Sequence, residues 1–201
     1  RGLFSQKFDY KEWRRIETSL AGEYQFANGA LALEVIGVLK GRGFSISEAA
    51  VRDGFRKVVW IGRFSVISRE PYVIVDGAHN RDAAGKLAGT IEKYLAGKRL
   101  IYIMGVLADK EYDRVIEKTV SYASEIITVM TPDNERALSA EALAEAVAPH
   151  NPHVQAAKSI KDAVERAYEL AEKEDVILAF GSLSYLGALI REVQERRQEK
   201  K

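Results

Sequence analysis

The chain has 201 residues, with 30 Lys and Arg against 29 Asp and Glu for a formal charge of +1, and 47% of its residues are hydrophobic. That length is one large domain or two small ones, the apolar share supports a packed core, and the balanced charge argues against a dedicated nucleic-acid binder. The absence of cysteine removes disulfides, thiolate nucleophiles, zinc knuckles and iron–sulfur clusters, and the three histidines make a tri-His metal site a poor expectation. No run approaches the ~20 apolar residues of a membrane-spanning helix, and Arg1-Gly2-Leu3-Phe4 does not open a signal peptide. A cytoplasmic protein is expected. The first residue is Arg and not Met, which raises the expectation of further chain upstream.

The first strong element is a helix over Ala27–Leu39, in which Ala30, Leu31, Ala32, Leu33, Val35, Ile36, Val38 and Leu39 leave almost no polar face before Gly41 and Gly43 end it. A helix apolar nearly all round must be buried on nearly all sides. Residues 1 to 60 offer one further helix, Ser47 to about Lys57, with Ser45 and Glu48 spaced as a capping box. That is too little cover. The first helix therefore docks on the rest of the chain or on a partner, or has lost the domain to which it belongs.

From Arg63 onward apolar runs mark strands at Phe64–Ile67, Tyr72–Val75, Leu100–Met104, Ile126–Met130, Val154–Ala157 and Val176–Phe180. Helical periodicity fills the later gaps: Ala83–Leu95, Tyr112–Tyr122, Ala140–Val147 after a cap at Ser139, Ile160–Lys173 after Ser159, and Tyr185–Arg197. The alternation predicts an α/β, Rossmann-like, mostly parallel sheet with helices on both faces; the first run should pair antiparallel at an edge through the Ser68–Pro71 turn. The mixed-charge segment Arg191–Lys201 reads as a solvated helix end.

In an open α/β sheet, ligands bind beyond the carboxyl ends of the strands. The segments there are Asp76-Gly77-Ala78-His79-Asn80, Gly105 to Lys110, Thr131 to Arg136, and Gly181-Ser182-Leu183-Ser184. Neither G-x-G-x-x-G nor a Walker A loop follows any strand, which disfavours a nicotinamide oxidoreductase and a self-contained phosphate loop. Asp76 reads equally as a helix N-cap and as a carboxylate accepting two ribose hydroxyls. His79 stands at a strand mouth as a surface histidine or a site residue, and Ser182 as a cap or an anion-holding hydroxyl. Ser182 lacks the G-x-S-x-G setting of a hydrolase nucleophile. His150 and His153, in Pro-His-Asn-Pro-His, read as an ordinary turn.

The ordered set Tyr24-Gln25-x-x-Asn28-x-Ala30-Leu31-Ala32, Trp60-Ile61-Gly62-Arg63, Asp76-Gly77-Ala78-His79-Asn80, Gly105-x-x-x-Asp109-Lys110, Arg136-Ala137-Leu138 and Gly181-Ser182-Leu183 resembles the C-terminal half of the folylpolyglutamate synthase/dihydrofolate synthase family, within the Mur ligase superfamily. The resemblance runs from about residue 20 to 190. It implies that residues 1 to 60 are the tail of a central ATPase domain, a largely helical remnant here, and that residues 61–201 are the complete C-terminal Rossmann-like domain. It further implies an ATP-dependent ligase that joins L-glutamate to folate or dihydropteroate through an acyl phosphate. The Walker A loop and the magnesium ligands would lie upstream, so that this chain alone is inactive; the alternatives are a stand-alone module binding a nucleotide or amino acid and a ligase acting on another acidic substrate.

Carried over by position, the resemblance gives Asn28 to adenine, Arg63 to ATP phosphate, Asp76 to the ribose, and His79 and Ser182 to the incoming glutamate. Asn80, Asp109, Lys110 and Arg136 match family motifs without a settled role, and no metal ligand falls on this chain. Departures from the family pattern are Ile61 and Arg81, where proline is usual, and Ser184-Tyr185, where tyrosine-leucine is usual.

Overall fold

A computed structural model describes residues 3–199. Arg1, Gly2, Lys200 and Lys201 lie outside the described residues, and with them the last part of the expected C-terminal tail. The elements fall into an N-terminal unit and a sheet domain.

The N-terminal unit begins with an antiparallel hairpin, β1 (Gln6–Tyr10) and β2 (Trp13–Thr18), which the sequence reading did not contain. Helix α1 (Tyr24–Gly41) and helix α2 (Glu48–Lys57) follow. Gly43, at φ +93°, closes α1: its N–H donates to the Lys40 carbonyl while Phe44 N–H reaches back to Leu39, the paired bonds of a glycine-terminated helix. The cap of α2 is Ser47 and not the expected Ser45. Ser47 is extended, at ψ 154°, and its hydroxyl accepts the Ala50 N–H at 3.1 Å.

Ile16, Leu33 and Val51 form a small core between hairpin and helices, with Phe8, Trp13, Ile36 and Phe55 against it. So α1 buries one face only. Its opposite face leaves Leu31, Val35 and Val38 between 51% and 66% exposed, and the expected burial on nearly all sides is not met within this chain.

The sheet domain has six strands in the order β3-β4-β8-β5-β6-β7. They are β3 (Ser65–Arg69), β4 (Tyr72–Val75), β5 (Leu100–Met104), β6 (Glu125–Thr128), β7 (Val154–Ala156) and β8 (Val176–Phe180), with β3 antiparallel at the edge and the rest parallel, as the sequence predicts. Between them run α3 (Arg81–Tyr94), α4 (Tyr112–Thr119), α5 (Ala140–Val147), α6 (Ile160–Leu170) and α7 (Leu183–Glu199). Ser139 and Ser159 cap α5 and α6 through their side chains, as expected.

Strand alternation divides the apolar residues between two faces. Ile74, Tyr102, Met104, Leu178 and Phe180 pack under Leu87, Ile91, Ile116 and Leu143 of α3, α4 and α5. Val73, Val75, Ile101, Ile103 and Ala179 pack under Ile160, Ala163, Leu186 and Leu189 of α6 and α7. Right-handed crossovers explain the split: β4 to β7 progress outward over one face, and the return from β7 to β8 must cross the other. Tyr185, fully buried, gives its hydroxyl position between the carbonyls of Ile103 (2.8 Å) and Phe180 (2.7 Å), tying α7 to β5 and β8.

The two units are joined through Gln6. Its side-chain amide donates to the Leu20 and Gly22 carbonyls at 2.6 and 2.8 Å, and its oxygen accepts from the Tyr94 hydroxyl of α3 at 2.7 Å. Ala21 and Leu3 of the N-terminal unit add an apolar contact, packing in one cluster with Phe64 and Tyr94.

Candidate functional site

Inserting β8 between β4 and β5 creates the reversal point at which open α/β sheets bind ligands. The chain leaves β4 toward α3 on one face and β8 toward α7 on the other, and here Leu183 of the β8 side packs over Gly77 of the β4 side.

Asp76 continues β4 by one residue: its N–H donates to the Ala179 carbonyl at 2.9 Å. Its carboxylate is buried and accepts two backbone N–H groups at 2.8 Å each, Phe64 on Oδ2 and Ala78 on Oδ1. It is not the cap of α3. That position belongs to Asn80, whose Oδ1 accepts from Ala83 N–H at 2.9 Å.

Burial pushes the Asp76 carboxyl up to about 6, with the two N–H donors and the charges of Arg63 and His79 pulling the other way. The sign of the linkage follows. A carboxyl that ionises later folded than unfolded binds its proton more tightly in the folded state, so its contribution to stability falls as pH rises from about 4 to about 6. At about 1.4 kcal/mol per unit, some 2–3 kcal/mol is lost across that window. Urea titrations should therefore show wild type losing about that much relative to Asp76→Asn between pH 4 and pH 7. A constant difference between the two proteins would contradict it.

A polar cavity of about 240 Å³ opens beside Asp76. It gathers Asn28 from α1, Arg63 from the linker, and Asp76, His79 and Asn80 from the loop after β4, five of the nine expected site residues. His79 Nδ1 lies 2.8 Å from the Gly77 carbonyl, which can only accept, so Nδ1 carries a proton and the ring is held with Nε2 pointing away from that contact. Asn28 donates from Nδ2 to Gln25 Oε1 at 2.9 Å, which fixes its amide orientation. A second, apolar groove of about 620 Å³ runs between α1 and α2, lined by Ala32, Ile36, Val51 and Phe55, and meets the cavity at Asn28 and Arg63.

The remaining four expected residues lie elsewhere. Ser182 is buried at the end of β8, where its Oγ accepts the Ser184 N–H at 3.2 Å; it does not line the cavity, although its neighbour Leu183 reaches over Gly77. Asp109 and Arg136 form an exposed ion pair of 3.0 Å beyond β5 and β6, where the two loops are stitched by Ala108 N–H to the Arg136 carbonyl and a bridge between Leu107 and Ala137. Lys110 is exposed beside them. Such an ion pair is worth ~0–1 kcal/mol, so its value there is loop shape. His150 and His153 sit in a turn held by Asn151, which donates to the Val120 and Ala123 carbonyls.

Five further residues line the cavity, of which three are polar: Tyr24 on α1, and Asp82 and Lys86 on α3, paired at 2.7 Å; Ala83 and Leu87 of α3 complete it. Burial beside the Asp76 charge drives the Tyr24 phenol well above its ordinary range. Residues 82, 83, 86 and 87 share one face of α3 at helical spacing, and that signal becomes readable once the helix is known to start at residue 81.

The donor set fits a nucleotide. An amide pairs with a base edge, a carboxylate with a diol and a guanidinium with phosphate. Among the described residues no group of three or more His, Asp or Glu side chains is placed to hold a metal ion, and no helix is long and apolar enough to cross a membrane.

Residues 62–183 match the family described as Mur ligase, glutamate ligase domain. The dihydrofolate synthase/folylpolyglutamate synthase of Bacillus subtilis is 35% identical over 60% of this chain and 29% of its own length. The fold superposes on the folylpolyglutamate synthase of Mycobacterium tuberculosis complexed with ADP and AMPPCP at TM-score 0.78 and 29% identity, over 87% of this chain and 41% of that one. It also superposes on Escherichia coli FolC in complex with ADP, without folate substrate, at TM-score 0.76 and 28% identity, over 89% and 41%. The chain thus spans less than half the length of each of these relatives. A match running from the linker glycine to the first residue of α7 takes in the Asp76 loop, the reversal point and the β8 end, and by it the chain belongs to the Mur ligase family, of which it carries the glutamate ligase domain.

Proposed function

We propose that this chain is the C-terminal part of a cytoplasmic, ATP-dependent ligase that adds L-glutamate to folate or dihydropteroate. Residues 1 to 60 would be the tail of the central ATPase domain and residues 61–201 the domain that delivers glutamate. The observation that carries this reading is the convergence of Asn28, Arg63, Asp76 and His79 on one cavity beside the carboxyl end of β4. In this reading Asn28 pairs with the adenine edge, Asp76 accepts the ribose hydroxyls and Arg63 neutralises phosphate charge. The phosphate loop and the magnesium ligands belong to the upstream portion, against which the bare Leu31, Val35 and Val38 face of α1 would pack.

ATP would phosphorylate the terminal carboxylate of the pteroyl substrate, and the glutamate amine would attack the acyl phosphate, expelling phosphate and forming the amide. An acyl phosphate must be kept from water, which a sheet domain closing over the ATPase portion achieves. His79, its ring held by the Nδ1 contact to the Gly77 carbonyl, would meet the incoming glutamate through Nε2. Ser182 would assist at the carboxylate end only after its hydroxyl leaves Ser184 N–H.

The test expresses this chain with the upstream region its relatives carry and measures glutamate addition to folate and to dihydropteroate. His79→Ala should raise KM for glutamate about tenfold or more while KM for ATP changes little, and Asp76→Ala should do the reverse. Equal effects on both substrates overturn the division of roles. Absence of ligation with either acceptor overturns the activity.

A further inference from the structure

The backbone on both sides of Arg63 is held in an unusual shape. Gly62 lies at φ +88° and Phe64 at φ +48°, both left-handed, and for a residue with a side chain that conformation persists only where its surroundings impose it. Arg63 stands between them, on the linker from the N-terminal unit to the sheet domain.

One turn supplies the restraints. Gly77 N–H donates to the Gly62 carbonyl at 2.8 Å, on the near side of Arg63. Phe64 N–H donates to Asp76 Oδ2 at 2.8 Å, on the far side, and the other carboxylate oxygen is anchored by Ala78 N–H. The arginine side chain lies against the bare face of that turn: a Cβ on Gly77 would stand 3.0 Å from Arg63 Nη1 and 2.5 Å from Leu183 Cδ2. A carboxylate is needed for this geometry because both oxygens must accept.

We infer that Asp76 is a positioning residue for Arg63: its carboxylate fixes the backbone of residues 62–64 and thereby aims the guanidinium into the cavity. Its meaning for phosphate binding rests on the nucleotide reading above, whereas the clamp itself is a property of this chain. The clamp is tightest with Asp76 ionised, since protonation turns one acceptor into a hydroxyl. The groups facing the carboxyl are Arg63 on the linker, His79 on its own loop and Tyr24 on α1, with the Asp82–Lys86 pair of α3 on the same cavity wall. From β8 the Ala179 carbonyl meets the Asp76 N–H.

The experiment is amide hydrogen exchange and pH titration by NMR on the 201-residue chain, wild type and Asp76→Asn. An amide side chain offers one oxygen and one NH2 group, so one of the two backbone donors loses its acceptor. Protection of the Phe64 amide should fall by about tenfold or more in the variant while core amides such as that of Ile103 keep theirs. In wild type, the Phe64 and Ala78 amide protons should shift together with the Asp76 carboxyl carbon, at one shared midpoint. That titration needs no variant, so the inference stays exposed even if Asp76→Asn does not fold. A Phe64 amide equally protected in both proteins, or amide shifts that do not follow the Asp76 carboxyl, would overturn it. Either result can be read without any ligase activity.

Discussion

Replacing Gly181 with alanine should destabilise the chain by about 3–5 kcal/mol. Gly181 has φ +111°, which resists a side chain, and a Cβ there would stand 2.4 Å from the Gly105 carbonyl oxygen and 3.1 Å from its carbon. Those are backbone atoms, so no rotamer change relieves the clash. Relief requires parting β5 from β8 where Met104 pairs with Phe180 and Gly105 N–H donates to the Phe180 carbonyl at 3.2 Å. The same movement would disturb Tyr185, whose hydroxyl sits against carbonyls of both strands. Gly37→Ala is the matched control: nothing lies within 4 Å of its added Cβ, and in mid-helix it should stabilise by about 0.5–1 kcal/mol. Urea unfolding of the three proteins checks both, and a Gly181→Ala midpoint equal to wild type would show that the strand ends can separate freely.

The second large effect concerns Arg63. In the assembled ligase, Arg63→Ala should lower kcat/KM for ATP by about 10²–10³, the scale for deleting a charged group that stabilises phosphate. Arg63→Lys should recover only part of it, because a point charge on a flexible stem does not reproduce a planar fork held over Gly77. Because Asp76 acts partly through Arg63, combining Asp76→Asn with Arg63→Ala should cost less than the sum of the two single losses, the remaining increment being the ribose contact's own share. Steady-state kinetics with ATP varied at saturating glutamate reads all three. A variant at parental kcat/KM would remove Arg63 from the nucleotide site.

The sheet was legible because its strands are buried on both faces and therefore read as unbroken apolar runs, such as Leu100–Met104 and Val176–Phe180. The hairpin was not. Gln6–Tyr10 and Trp13–Thr18 carry Lys7, Asp9, Arg14, Arg15 and Glu17, and their turn places Lys11 at φ +47° where a glycine or asparagine would have announced it. Its tie to the sheet domain runs through a polar residue, Gln6, whose three hydrogen bonds leave no periodic trace. The spacing of Ser45 to Glu48 suggests a capping box, yet a cap is decided by which residue is extended before the first turn, and that residue is Ser47.

For the site, motif order was enough to bring Asn28, Arg63, Asp76 and His79 together. It could not reveal that Asp76 spends both oxygens on backbone amides, or that Asn80 serves as a helix cap. Tyr24 and Lys86 escaped because each enters the cavity from an element whose approach depends on tertiary packing. The Asp109–Arg136 pair shows the converse, two motif residues that meet each other beyond β5 and β6 and lie away from the cavity.

The position of β8 also governs the order in which the domain can be built. It is the last strand in the sequence and yet lies between β4 and β5, pairing with both. Without Val176–Phe180, the β4 and β5 edges that it joins would both be left unpaired. Such edges invite pairing with other chains. Completion of the sheet therefore waits for β8, and truncation before residue 176 removes its keystone while leaving five of its six strands intact in sequence.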